Sequence, residues 1–372
     1  MYQSAKKAAD VANAKAIARC RCLSKLCASV LSSQYFTELF LTKSSVSPQL
    51  LFAFEAGREI SIFSSPQPEN PEDSSYVVAA NHLARFPRSY RFSAPTSGFF
   101  CYKVKHTCEG VDVPEFVPVI CNPSTGQSLT LQRLNSRKKY GGETYLGYDP
   151  VSKDFKVLSM EHSFVSGELI SVEHQVLTLG TNKLSWRMVE CCIPHFCSHK
   201  WICISGVIYY AATAAGSKVE LSMVACFDLR SEKFYFVKLS RERPGSTTLV
   251  NYNGKLGLLM SGDSGYISRA SKSLELWVLR DAGNNEWSKH IYVLPPLWKD
   301  VVARDMQIRI AGMVGVNEIV LAPTWFQNVP FYVIYFNVER KTITKVGFQG
   351  MEAFRGKSFD TYLNYVENVK LI

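Results

Sequence analysis

No apolar run in this sequence is long enough to cross a membrane as a helix. One long stretch without a charge, Trp201 to Ser217, falls short of the ~20 residues a bilayer requires. It carries Gly206 and is rich in Ile, Val and Tyr, so it predicts two buried strands. The opening M-Y-Q-S-A-K-K-A-A-D lacks the apolar segment of an export signal. With no such signal, eleven cysteines, an odd number, predict reduced thiols and an intracellular chain, in nucleus, cytoplasm or both. A glycine-rich loop followed by Lys-Ser/Thr is missing, which excludes that mode of phosphate binding. Paired carboxylates and two-histidine helical signatures are missing too. S-G-D-S-G (Ser261 to Gly265) resembles a serine-nucleophile loop. His82 lies upstream, but no disulfide framework or oxidising context supports the rest of a His–Asp pair, and the stretch reads as a Gly/Asp turn. C-C-I-P-H-F-C-S-H (Cys191 to His199) is dense in thiols and imidazoles. Its spacings fit neither common zinc pattern, even with Cys101, His106 and Cys108 as remote partners. It is read as a loop between strands. No catalytic, cofactor-binding or metal-binding residue is therefore expected.

Aromatic residues, by contrast, are abundant: 22 Phe, 18 Tyr and 6 Trp in a chain that is 47% hydrophobic and 20% charged. Such a chain can bury a large core. Its apolar residues repeat one device, plainest in E-T-Y-L-G-Y-D-P-V-S-K-D-F-K-V-L (Glu143 to Leu158). Two alternating stretches flank a polar turn opened by Asp or Asn, whose side chain accepts hydrogen bonds from the backbone two residues on. The same pattern returns at Asn122, Asp228 and Asn337. In the second half each hairpin follows a Gly- or Asn-initiated strand and a spacer, giving a repeat of about 50 residues with about four strands, the signature of propeller blades. The predicted fold is all-β and propeller-like, kelch-like in style, with about six irregular blades. Trp186 and Trp287, each just after a polar turn, are expected to pack blades together.

The net charge is +10, and residues 1–58 carry half of that excess. A basic end permits an acidic partner; R-L-N-S-R-K-K (Arg133 to Lys139) is a second basic cluster. No nucleic-acid-binding motif accompanies either, so nucleic acid is not the expected partner. Near the N-terminus, Ile17, Cys20, Leu23, Leu26, Cys27, Val30 and Leu31 recur at spacings of three and four and predict a helix.

I-A-R-C-R-C-L-S-K-L-C-A-S-V-L-S-S-Q-Y-F-T-E-L-F-L-T-K-S-S (Ile17 to Ser45) resembles the C-terminal half of a plant F-box. The remainder resembles the F-box associated interaction domain. That likeness rests on L-L-F-A-F (50–54), F-S-S-P-Q-P-E-N-P (63–71), V-P-V-I-C-N-P-S-T-G-Q-S-L-T-L (117–131), F-D-L-R-S-E-K-F (227–234), E-L-W-V-L-R-D (275–281) and W-S-K-H-I-Y-V-L-P-P-L-W (287–298). Residues 1–16 show none of the Leu-Pro-rich opening of an F-box, and Cys27 stands where its late tryptophan is usual. The F-box start is read as lost or replaced.

The resemblance implies a helical F-box remnant over residues 1–46 and an interaction domain over 47–372. It implies a substrate-recognition subunit of a Skp–cullin–F-box ubiquitin ligase, with no catalysis of its own, since ubiquitin transfer belongs to other subunits. The expected partners are a Skp-type adaptor, held by Ile17, Leu23, Val30 and Leu31, and an unidentified target protein, with no membrane. The alternative is an interaction module that has lost its adaptor contact; losing half of an F-box surface predicts adaptor affinity lowered about a thousandfold. Target binding is expected on the long connections 161–172, 191–200, 240–248, 261–273 and 295–305, gathered on one face. Phe164, Phe196, Tyr266 and Trp298 are expected to be exposed there.

Overall fold

The computed structural model describes residues 14–68, 77–87, 94–106, 115–132, 142–165, 168–180, 184–215, 223–239, 247–262, 267–303, 306–325 and 331–370. Arg133 to Lys139, residues 240–246 of the predicted connection 240–248, most of the Ser261 to Gly265 stretch, Tyr266 and Cys108 lie outside them.

The N-terminal apolar stripe forms two short helices, Ala14–Arg21 and Lys25–Leu31, rather than one. Ser24 breaks the stripe. Its backbone is extended (φ −160°) and its hydroxyl accepts from the Cys27 amide at 3.1 Å, capping the second helix. Ser33 caps a third helix, Gln34–Val46, in the same way.

The strands, numbered along the chain, fall into antiparallel meanders. The first sheet has the order β24 (Phe359–Tyr365), β1 (Gln49–Ala56), β2 (Glu59–Pro66), β4 (Asn81–Pro87). A three-stranded sheet follows: β5 (Phe100–His106), β6 (Glu115–Asn122), β7 (Gln127–Thr130). An eight-stranded sheet consists of two meanders. One is β8 (Thr144–Asp149), β9 (Asp154–Val165), β10 (Glu168–Thr178), β11 (Arg187–Met188); the other is β12 (His195–Ile204), β13 (Val207–Ala214), β14 (Met223–Asp228), β15 (Lys233–Lys238). A single residue pair, Ser171 with His195, joins β10 to β12. Next come β16 (Thr248–Tyr252), β17 (Lys255–Ser261), β18 (Ser273–Asp281), β19 (Glu286–Val293), and last β20 (Ile308–Val314), β21 (Glu318–Pro323), β22 (Phe331–Asn337), β23 (Thr342–Gln349). The outer strand β23 gains a parallel neighbour, β3 (Val77–Ala79).

These six meanders close a ring. Around its axis β24 packs on β20, β20 on β16, β16 on β12, β12 on β8 and β8 on β5. Phe100 of β5 meets Tyr362 and Tyr365 of β24 at ring separations of 5.5 and 6.4 Å and completes the circuit. Pairing of the last strand with the first, β24 with β1, ties the chain ends together. Phe52 sits fully buried at that junction, with its ring 5.3 Å from Phe331 and 5.0 Å from Phe348 of the last meander. Trp186 and Trp287 are half-buried against two of these cores.

The Asn/Asp turns follow the predicted chemistry. The side-chain oxygens accept from backbone amides two or three residues on: Asn122 from Ser124 (3.0 Å), Asp149 from Val151 (3.0 Å), Asp228 from Ser231 (2.6 Å) and Asn337 from Arg340 (2.8 Å). Each turn ends on a residue with positive φ: Gly126, Lys153, Glu232 and Lys341. The glycine is suited to that conformation, and the three others are held in it by the hairpin register.

Candidate functional surfaces

Antiparallel order sorts the connections between two ends of the ring. The starts of β8, β16, β20 and β24 all line one cavity of about 580 Å³, so these inner strands run the same way. The ends of β8 and β12 line a second cavity, of about 340 Å³, at the other end of the axis. Trp201 lines both. The turns at Asp149, Asp228, Asp281 and Asn337 therefore lie at the far end, where the inner strands finish. Asn122 is there too, its amide donating to the Asn368 carbonyl (2.8 Å) just beyond β24. The end of β9, the starts of β10, β12, β16, β18 and β20, and the end of β17 lie at the opposite end. The end that carries the Asn/Asp turns is called the turn face, and the opposite end the loop face.

The three helices sit on the turn face. Ala14 donates its amide to Glu367 (3.3 Å), and the Glu367 amide donates to the Ser44 hydroxyl (2.6 Å). Arg21 donates to the carbonyls of Leu31 and Val369, and Lys153 of the Asp149 turn pairs with Glu38 at 2.8 Å. Burial holds Arg21 below its usual pKa and Glu367 above its own.

This docking redistributes the predicted adaptor residues. Ile17 and Leu31 are buried against Phe36, Phe40 and Val369, and are not presented outward. The reason lies beyond the helices: the chain's last residues return to the helices and take up their apolar stripe. Val30 is half-buried. Leu23 remains 77% exposed, and Leu26, which helical spacing marked but which was not among the predicted contacts, is 64% exposed.

On the loop face, two of the five predicted connections are more regular than expected. Residues 161–172 are largely the ends of the β9–β10 hairpin, and β12 begins at His195. Phe164 is 57% exposed near that hairpin tip. Phe196 is partly exposed and stacks on His162 at 5.3 Å; His162 lies two residues before Phe164 on the same side of β9. Trp298 is not exposed. It is 1% accessible, begins the short helix Trp298–Val301, packs in the core of the last two meanders, and donates its indole N–H to the Ser268 carbonyl (2.9 Å). A tryptophan in a Pro-rich connection reads as a surface residue, but here its one polar atom finds a carbonyl, which permits burial.

The axial cavity on the loop face holds charge in its wall. Arg309 pairs with Asp360. Lys103 is buried, donates to the Gly142 carbonyl at 2.6 Å and lies 3.9 Å from Glu161. Burial lowers the Lys103 pKa and raises that of Glu161. These contacts tie β5 to the β8 and β9 strands and explain the charges structurally.

A closed ring of antiparallel meanders with helices on one face defines a β-propeller. Residues 49–366 match the F-box associated beta propeller domain family, and the chain belongs to that family. Among curated proteins of Arabidopsis thaliana it is similar to F-box protein DOR, 49% identical over 360 residues (96% of this chain, 90% of that protein). It is also similar to F-box protein At5g65850, 46% identical over 362 residues (96% and 87%), and to F-box protein At3g61340, 39% identical over 381 residues (96% and 90%). No helix among the described residues is long and apolar enough to cross a membrane.

Proposed function

We propose that this chain is the substrate-recognition subunit of a Skp–cullin–F-box ubiquitin ligase, non-catalytic itself. In this reading the helical segment meets a Skp-type adaptor and the loop face of the propeller meets a target protein. The observation that carries it is the packing of the three helices at one end of the ring, in a chain similar to F-box proteins along almost its whole length. The adaptor contact falls to Leu23 and Leu26, whose side chains stand in solvent while Ile17 and Leu31 of the same stripe are buried. The target contact centres on Phe164 and Phe196, since exposed aromatic anchors dominate many interfaces.

Titration of the purified chain with a Skp-type adaptor tests the first contact. Saturable binding is expected. Leu23→Asp with Leu26→Asp removes two apolar side chains, each worth roughly 1.5–3 kcal/mol when buried, so affinity should fall on the order of a thousandfold. Absence of saturable binding up to about 100 µM adaptor contradicts the assignment. So does binding indifferent to both substitutions.

A second reading has its own observation. Ile17 and Leu31 are buried on the propeller, leaving a smaller apolar surface outside. On that reading the chain binds targets without an adaptor, and the same titration separates the two.

A further inference from the structure

The seam between β10 and β12 is the weakest link in the eight-stranded sheet, with Ser171–His195 its sole residue pair. Three potential ligands gather beside it: His174 on β10, His195 at the start of β12, and Cys191 in the segment leading into β12. One ligand atom from each lies within 4.8 Å of the other two. The Cys191 thiol is 4.0 Å from His195 Nδ1. Both histidines are buried and Cys191 is half-buried.

We propose that His174, Cys191 and His195 form a binding site for a borderline divalent cation, Zn²⁺ in the first instance, which clamps the two meanders at this seam.

The geometry is close to that of a bound site. With Zn–S of about 2.3 Å and Zn–N of about 2.0–2.1 Å, tetrahedral ligand atoms stand roughly 3.3–3.6 Å apart. Closing from the present separations, none above 4.8 Å, takes side-chain movements on the order of 1 Å. Supporting groups stand behind both rings: Ser171 Oγ is 3.0 Å from His174 Nε2, and the Tyr210 hydroxyl is 2.7 Å from His195 Nε2. Such outer hydrogen bonds orient ligating imidazoles. His195 Nδ1 now lies 2.7 Å from the Ile193 carbonyl. Binding through Nδ1 gives up that contact, moves the ring proton to Nε2 and turns Tyr210 into its acceptor. Burial favours the neutral, ligating form of both rings; it brings the His174 pKa down to about 3 and lowers that of His195. Cys191 loses its proton to solvent as the metal–sulfur bond forms, so net charge rises by one per Zn²⁺ bound. Three protein ligands leave the fourth position to water.

The bond network has a consequence for the loop face. Phe196 directly follows His195 and stacks on His162. A cation at the seam therefore fixes the strand that presents Phe196. The site itself stands apart from the ligase assignment and is tested without an adaptor or a target.

The experiment is a titration of the full, metal-free chain with Co²⁺ alone, followed by absorption spectroscopy. The site predicts one Co²⁺ per chain, a thiolate-to-cobalt charge-transfer band, tetrahedral d–d bands, and bleaching of both sets of bands by equimolar Zn²⁺. Cys191→Ser should remove the charge-transfer band, and Cys192→Ser, one residue away and exposed, should keep it. Circular dichroism on both variants confirms that the fold survives, and His174→Asn supplies a second test on a different strand. Absence of stoichiometric cobalt overturns the proposal, as does a thiolate band that survives Cys191→Ser or is lost equally in Cys192→Ser.

Discussion

Removing residues 358–372 is expected to leave no soluble, folded monomer. The deletion takes away β24, the inner strand of the first sheet, and with it the main-chain pairing that joins the two ends of the chain. Phe359, Tyr365 and Val369 are buried, and Tyr365 also shares a hydrogen bond of 2.6 Å with Ser124 of the second sheet. Two large side chains alone represent roughly 3–6 kcal/mol of burial, against a total stability of about 5–15 kcal/mol for a typical protein. The exposed edge of β1 would then be a row of unpaired amides and carbonyls flanked by Leu51, Ala53 and Phe52, a template for aggregation. Size-exclusion chromatography of the truncated chain measures the outcome. A monodisperse monomer with an unchanged melting temperature contradicts closure by this strand.

Phe52→Ala is the second substitution with a large expected effect. Its ring is buried between Phe331 and Phe348 at the seam of the first and last meanders. Truncating a buried phenylalanine costs about 3–5 kcal/mol, which for a domain of this size lowers the melting temperature by roughly 10 °C. Phe164→Ala, on an exposed side chain, should change stability by less than about 0.5 kcal/mol. Differential scanning calorimetry of the two variants separates the residue that closes the ring from the residue offered to a partner. Equal shifts would mean that Phe164 is packed, or that the seam is not cooperative with the rest of the ring.

The hairpins were legible because turn chemistry is local. Asn122, Asp149, Asp228 and Asn337 each announce a turn through an oxygen that reaches its own backbone, and no distant residue is needed to read it. The break at Ser24 was legible in principle as well: a serine before K-L-C-A is a helix cap, but the continuous apolar stripe around it suggested one helix. Ring closure was not legible, because β1 and β24 are about 300 residues apart and neither strand names its partner. The same distance hid the fate of Ile17 and Leu31, whose apolar neighbour Val369 comes from the other end of the chain. Trp298 was misread for a related reason, since the carbonyl that satisfies its indole belongs to Ser268, 30 residues earlier.

The cluster at the β10–β12 seam shows how far composition can lead. C-C-I-P-H-F-C-S-H displayed Cys191 and His195, but its spacing pointed to no third ligand. His174 reaches them from a neighbouring strand, not from the Cys101–Cys108 region that sequence reasoning considered. The division into a turn face and a loop face was hidden until strand order was known. Once β8, β16, β20 and β24 are seen to run alike, antiparallel alternation assigns the described ends of their neighbouring strands to one end of the ring or the other.

The most direct test of the central claim is hydrogen–deuterium exchange of the full chain with and without a saturating Skp-type adaptor. The account predicts slowed exchange in the helices between Ala14 and Val46 and unchanged exchange around Phe164 and Phe196, which are left to the target. Slowed exchange around Phe164 and Phe196, with the helices unaffected, would contradict it.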